Sequence, residues 1–267
     1  VQGRMNCRLD CRWDDAQSRK PLEIRGDIDV AQLQMTASAL GRDTLRMERL
    51  LARAQVSSNE GRTTVESLDV QSELGRAALT GAVEVNQIAS GNVWQALLQQ
   101  AYELHGEVDL GRLAEMLPHT LHIHEQTRVT SGELKLAVSS KQTDQGMRWD
   151  ARLETSDLTA MRRGDQLVWE QPIEVVLAAR ESPQGTVVET LQCDSTFLKI
   201  YAAGTPHDMT GSLSFDLNRL AHRLDGFVDL RDTRLAGNGW ANFNFRRDRR
   251  DQFQADAELQ VRDLEVR

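Results

Sequence analysis

The stretch LHGEVDLGRLAEML, residues 104–117, carries two periodicities in succession. From Leu104 to Leu110 it alternates, with Leu104, Val108 and Leu110 apolar against Glu107 and Asp109, as in a half-buried strand. From Asp109 the period lengthens. Leu110, Leu113, Ala114 and Leu117 fall at i, i+3, i+4 and i+7, the stripe of an amphipathic helix. A strand that runs into one or two helical turns leaves the first amides unpaired, and Asp109 is placed to accept from them as an N-cap.

The joint recurs. LEIRGDIDVAQL (22–33) matches YELHGEVDLGRL (102–113) almost position for position, with Asp29 on Asp109. A third copy, MTGSLSFDLNRLAHRL (209–224), supplies Asp216, Leu217, Leu220, Ala221 and Leu224. Asp29, Asp109 and Asp216 are therefore expected to cap short helices in structural roles, each helix laying its Leu stripe over an apolar surface of the sheet. The similarity continues in SGELKLAV with NGWANFNF, DARLETSDL (150–158) with DAELQVRDL (256–264), and VESLDVQSEL (65–74) with VETLQCDSTF (188–197). The Asp109–Asp216 offset is 216 − 109 = 107 residues, and the first two matches nearly keep it. The chain reads as one elongated repetitive domain over 1–267, with units at 22–101 and 102–208 and a truncated one at 209–267.

Between the joints the pattern is period two. Leu134, Leu136 and Val138 share a face in GELKLAVSS, as do Trp149 and Leu153 in MRWDARLET. Ile173, Val175 and Leu177 do so in PIEVVLAAR, and Leu213 and Phe215 in GSLSFDL. One apolar and one wet face marks antiparallel sheet, and the turn signals KQTDQG, ESPQG and RRG divide it into a long meander. Helical patterns are few and short, NVWQALLQQ (92–100) being one candidate. The predicted fold class is mostly β, a long antiparallel repetitive sheet with a few short amphipathic helices.

With 40% hydrophobic and 27% charged residues in 267, the chain is globular and long enough for a sizeable core. No apolar run approaches the ~18 residues of a membrane span. A net charge of −8 argues against a nucleic-acid surface. The basic cluster RRDRR (246–250), interrupted by Asp248 and followed by Asp251, reads as a solvated turn. Cys7 and Cys11 would stand roughly 13 Å apart along a strand, too far for a disulfide, and read as small core residues. The chain begins and stops mid-pattern without an initiator Met or signal peptide, which suggests a piece of something longer.

Motifs for chemistry are sparse. In HTLHIH (119–124), His122 and His124 on a strand would share a face and could chelate, but no third ligand is placed beside them. They read as polar residues of a wet face. Carboxylates sit beside Arg or Lys in alternating strands, as cross-strand ion pairs do. No GxSxG, HExxH, P-loop or Cys–His arrangement occurs, and GNG (237–239) reads as a hairpin turn. Neither an enzyme nor a cofactor or metal is expected.

The blocks GEVDLGRLAEMLP…VTSGELKLAVSS and SFDLNRLAHRL…GNGWANFNF resemble the AsmA-like family (the AsmA, TamB and YhdP type). These are large proteins of diderm bacteria, anchored in the inner membrane, with long periplasmic β-rich regions. Their repeats often read as a Gly-containing strand, Asp-Leu-x-x-Leu, then a strand beginning with Gly. The resemblance implies a sheet curled along its length into an elongated open groove (β-taco) with an apolar floor. It also implies transport of phospholipid acyl chains along that groove between the inner and outer membranes, or support of outer-membrane assembly. Periplasmic location, a tether outside this chain, and inner- and outer-membrane envelope proteins as partners follow from the same resemblance. It brings no catalytic or ligand-binding residue.

On this reading Leu134, Leu136, Val138, Trp149, Leu153, Ile173, Val175, Leu177, Leu213, Phe215, Phe243 and Phe245 line the groove. The alternative is a structural β-repeat, a solenoid or adhesin-like surface stalk without lipid cargo. That reading predicts a shorter coil with Gly or Asn at fixed corners, and the long repeat has no such ladder.

Overall fold

Period-two alternation becomes sheet almost everywhere it occurs. The structure, a computed structural model, describes residues 2–12, 22–59, 62–84, 97–169, 171–183, 185–205, 207–230, 233–247 and 253–266. The strands of the first half are β1 (Gln2–Arg12), β2 (Leu22–Met35), β3 (Leu45–Asn59), β4 (Arg62–Ser72), β5 (Gly75–Glu84), β6 (Tyr102–Asp109), β7 (Thr127–Ser131) and β8 (Glu133–Thr143). Those of the second are β9 (Gly146–Thr155), β10 (Leu158–Arg162), β11 (Asp165–Trp169), β12 (Glu174–Ser182), β13 (Gly185–Asp194), β14 (Leu198–Thr205), β15 (Asp208–Asp216), β16 (Leu235–Arg247) and β17 (Phe253–Val266). Helices α1 (Leu110–Met116) and α2 (Leu217–Leu224) follow β6 and β15, a 3-10 turn, Ser38–Leu40, follows β2, and residues 97–99 are also helical.

Fourteen strands form one antiparallel sheet in chain order, skipping only β7, β10 and β11, which make a separate three-stranded sheet. The large sheet is open: among the described residues β1 and β17 each pair on one side only, so no barrel closes. Tight hairpins alternate with longer excursions because each turn type is built locally. At the β10–β11 turn Arg163 (φ 55°) and Gly164 (φ 96°) adopt the left-handed pair that suits a two-residue hairpin.

The excursions through α1, α2, the 3-10 turn and the small sheet all leave the large sheet at one end of its strands. There they pack into a cap. Its core joins Ala114 of α1, Val129 of β7, Ala160 of β10, Trp169 of β11 and Phe227 after α2, with Ile173, Phe197 and Leu220 against them. Trp169 meets Phe197 and Phe227 edge-on, at ring-centroid distances of 5.8 and 6.1 Å. The loops that follow the two helices are bound to each other. Ile123 bridges Val228, the His124 N–H donates to the Phe227 carbonyl at 3.2 Å, and the Asp229 N–H donates to the His122 carbonyl at 2.7 Å.

The aligned segments VESLDVQSEL and VETLQCDSTF carry equivalent irregularities. The β3–β4 register slips at Glu66 and the β12–β13 register at Glu189. Each carboxylate accepts from the strand before it, Glu66 from Gln55 at 2.8 Å and Glu189 from Arg180 at 3.0 Å.

Several expectations are corrected. Asp29 caps no helix: it lies inside β2, where Arg49 of β3 donates to its two oxygens at 3.1 and 2.7 Å. The reason is legible in VAQLQM, where Leu33 and Met35 keep period two and position i+4 of the stripe is Gln34. Instead of a helix, β2 bulges against β1 near Gln32, whose φ is 54°. HTLHIH is a series of turns rather than a strand, so His122 and His124 share no strand face. GNG lies within β16 at a register shift, not in a hairpin turn. Cys7 and Cys11 are exposed on an edge strand rather than buried in a core. Most of the predicted helix over 92–100 and the centre of RRDRR lie outside the described residues.

Candidate functional site

Residues opposite one another in antiparallel strands share a face, so pairing partners can be followed across the sheet. One such row runs Leu9, Gly26, Ala54, Leu68, Leu79, Leu104, Val138, Ala151, Leu177, Leu191, Ala202, Gly211, Phe243, Ala257. The next, two residues along each strand, runs Cys7, Ile28, Ala52, Val70, Ala77, Gly106, Leu136, Leu153, Val175, Cys193, Ile200, Leu213, Ala241, Leu259. Every strand of the large sheet contributes to both rows. No amide, hydroxyl or charged side chain interrupts either.

Beside these rows the face stays largely apolar. Toward the cap lie Met5, Val30, Leu50, Val108 and Leu134 on one side and Leu198, Phe215 and Val261 on the other. Away from the cap, Trp149 opposes Ser140 and Ala179, and Met209 opposes Phe245. The relief is kept low by large side chains folded over glycines on the adjacent strand. Phe243 occupies the space a Cβ at Gly211 would need, and Phe215 stands 2.9 Å from where a Cβ on Gly239 would be.

The face is bounded along the strand direction. The cap closes one end, where Ile173 and Phe197 join its core. At the other end Val83 (1% exposed), Tyr102, Met147 and Ala179 are buried, and the Trp149 indole N–H donates to the Leu98 carbonyl at 3.1 Å. Ser140 Oγ is buried there without a partner among the described residues. Burial pushes up the Tyr102 phenol, and pushes up the Cys193 thiol with help from the Asp194 charge, as expected where ionised forms lose water.

The opposite face is wet and charge-laddered. Arg76 holds Glu107 through bonds of 2.8 and 2.9 Å, Arg152 meets Glu174 at 2.8 Å, and Lys141 meets Glu103 at 3.0 Å. The hydrogen bond from Arg76 holds the Glu107 carboxyl below its ordinary range. These exposed pairs contribute little stability singly. They keep that face in water and mark it off from the apolar one.

Eleven of the twelve predicted lining residues fall on the apolar face of the sheet, though not equally. Leu136, Leu153, Val175 and Leu213 belong to one unbroken row, and Val138, Leu177 and Phe243 to the other. Leu134, Phe215, Trp149 and Phe245 flank the rows, whereas Ile173 packs into the cap. Leu68, Leu79, Leu191 and Ile200 also stand in the rows, and Leu104, read as an apolar strand residue, joins them although it is not among the predicted lining residues. Period two in ESLDV (66–70), ETLQC (189–193) and LKIYA (198–202) carries Leu68, Leu191 and Ile200, but small or polar neighbours dilute the signal.

The cap holds a cleft of about 650 Å³ bordered by His119, His122, His124, Arg128, Arg162 and Asp229. His119 is already bonded to Asp43, and Arg162 donates to the Asp225 carbonyl at 2.8 Å. Among the described residues no three His, Cys, Asp or Glu side chains gather as a metal site would require. Asp109 and Asp216 are N-caps, each accepting from the amide three residues on (Arg112 and Arg219) at 2.9 Å. No protein-family model, curated protein or solved structure matches the chain.

Proposed function

We propose that the apolar face binds phospholipid acyl chains and lets them pass along the sheet, across the strands, as in an AsmA-like envelope protein. The observation that carries this reading is the pair of apolar rows crossing all fourteen strands. At about 4.8 Å per strand they extend for roughly 60 Å, and they lie about 7 Å apart. Each methylene moved from water onto such a floor gains about 0.8 kcal/mol. Because the floor repeats the same chemistry from strand to strand, a tail that shifts by one strand exchanges one apolar contact for another, and no step holds it back.

Curling of the sheet around the apolar face, making it an open groove, is part of the proposal. It is supported by the near-complete burial of Ala202 and Ala179, which no second layer of described strands covers. Phospholipid head groups would stay toward water while the tails occupy the floor. The same reading puts the protein in the periplasm, tethered to the inner membrane by a segment beyond this chain, with envelope proteins at the two membranes as partners. Among the described residues no helix is long and apolar enough to cross a membrane. Passive conduction needs no catalytic residue and no cofactor.

Native mass spectrometry of the purified protein, followed by lipid extraction, tests the reading. Co-purifying phospholipid is the expected result. A lipid-free protein that also fails to take up phospholipid from vesicles would overturn it.

A further inference from the structure

The wet face of the large sheet changes character along its length. Between β6 and β12 it carries a ladder of ion pairs, but across β13 to β16 its rows are made of amides, hydroxyls and aromatic rings. One row runs Gln192, Tyr201, Ser212, Asn242. The next, two residues nearer the cap, runs Asp194, Lys199, Ser214, Trp240. Together they border a depression of about 510 Å³. β16 lines it with Trp240 and Asn242 but not with Ala241 between them, which puts the depression on the wet side of the sheet.

Tyr201 is 48% exposed there. The other described tyrosine and tryptophans turn elsewhere: Tyr102 and Trp149 to the apolar face, Trp169 into the cap core. The Trp240 indole N–H donates to Gln260 Oε1 at 2.9 Å, which holds its ring in place. The side chains of Gln192, Ser212, Ser214 and Asn242 make no hydrogen bond among the described residues, so their donors and acceptors are open to a ligand. The charged groups in the lining are Asp194 and Lys199, which neutralise each other at 3.6 Å.

We propose that this patch binds a neutral oligosaccharide. An aromatic ring offers a flat apolar body and a negative π face, which suit the partly positive C–H bonds on one side of a sugar ring. The surrounding amides and hydroxyls can both donate to and accept from sugar hydroxyls. An ionic ligand would find no free counter-charge in the lining. Tyr201 and Trp240 are two strands and two residues apart, about 12 Å. One sugar ring cannot touch both, so the ligand is a short chain of rings laid diagonally across β14 to β16. A protein partner suits the patch less well, because hot-spot aromatics work in fully desolvated, well-packed pockets, and here they stand among wet amides and hydroxyls. The site faces away from the apolar rows and is independent of whether they carry lipid.

Isothermal titration calorimetry with maltotetraose, cellotetraose and tetra-N-acetylchitotetraose tests the proposal. At least one should bind saturably. Tyr201→Ala and Asn242→Ala replace exposed side chains, so the far-UV signature should persist while each weakens binding at least tenfold. Trp240→Phe keeps a ring and should weaken binding less than Trp240→Ala. Lys135→Gln, on the wet face outside the depression, should bind like the wild type. Absence of binding to all three saccharides overturns the proposal, as does binding that Tyr201→Ala leaves unchanged. Self-association in sedimentation that Tyr201→Ala abolishes, with no saccharide bound, overturns it too, by making the patch a protein interface.

Discussion

Asp43 and His119 stand 76 positions apart in the chain, and Asp43 Oδ1 lies 2.8 Å from His119 Nδ1. The same buried carboxylate accepts the backbone N–H of Thr120 at 2.6 Å and of His119 at 3.3 Å. Thr120 Oγ1 in turn donates to the Leu40 carbonyl at 2.8 Å. These bonds tie the loop after β2 to the turn after α1, linking two repeat units through their cap ends. Burial acts to raise the Asp43 carboxyl, but the bonds from Thr120 and His119 outweigh it and bring it down to about 2.

That depression predicts an acid-sensitive cap. A carboxyl whose folded pKa lies below its unfolded value near 3.9 stabilises the fold above that value and ceases to as pH falls toward 2. Urea unfolding between pH 2 and 6 should therefore show a loss of stability in the wild type that is smaller in Asp43→Asn. An identical pH slope in the two proteins would show that the contact is not coupled to folding.

The two helix caps and the strand aspartate should respond differently to the same change. Asp109→Ala and Asp216→Ala remove N-caps and should each cost about 0.5–2 kcal/mol, lowering the melting temperature by a few degrees, whereas Asn at either position caps nearly as well. Asp29→Ala removes only an exposed pair with Arg49 and should disturb stability less than either. Thermal melts of the five variants check the order. An Asp109→Asn variant as damaged as Asp109→Ala would speak against a capping role.

Leu136 opposes Leu153 in the centre of an unbroken row. If the face binds acyl chains, Leu136→Glu places a carboxylate in their path, and the cost of desolvating it with each bound tail should reduce co-purifying phospholipid severalfold. The side chain is only half-buried, so the far-UV signature of the sheet should survive. Lys135→Gln, one residue away on the wet face, should leave lipid content unchanged. Equal lipid in all three proteins would remove the row from the binding surface.

Gly75 opens β5 with φ 141°, and a Cβ there would overlap the Glu107 carbonyl oxygen of β6. No flexible side chain can move aside, because the obstacle is backbone. Gly75→Ala should destabilise by at least about 1–3 kcal/mol through strain and separation of the two strands. Gly164 also has positive φ, but the space about it is open. Gly164→Ala should cost less, and chemical denaturation of both variants would show the difference.

Strand identity was legible across most of the chain because side-chain alternation is a local property of extended backbone. GELKLAVSS and MRWDARLET needed no partner to be recognised as β8 and β9. The same holds for the Asp–Leu joint at Asp109 and Asp216, where cap and stripe lie within eight residues of each other. Pairing was not legible, because it is decided by backbone hydrogen bonds between segments whose own patterns are compatible with many neighbours. Asp29 shows the limit. Its local signal resembles that of Asp109, yet Arg49, 20 positions away, takes its carboxylate and β3 carries β2 on as strand. HTLHIH alternates like a strand too, but Asp43 and the Ile123–Val228 bridge hold it as turns in the cap. Period two alone could say that Leu136 and Leu153 each turn toward an apolar face. That they meet, in a row unbroken from Cys7 to Leu259, was decided by register, which only the assembled sheet sets.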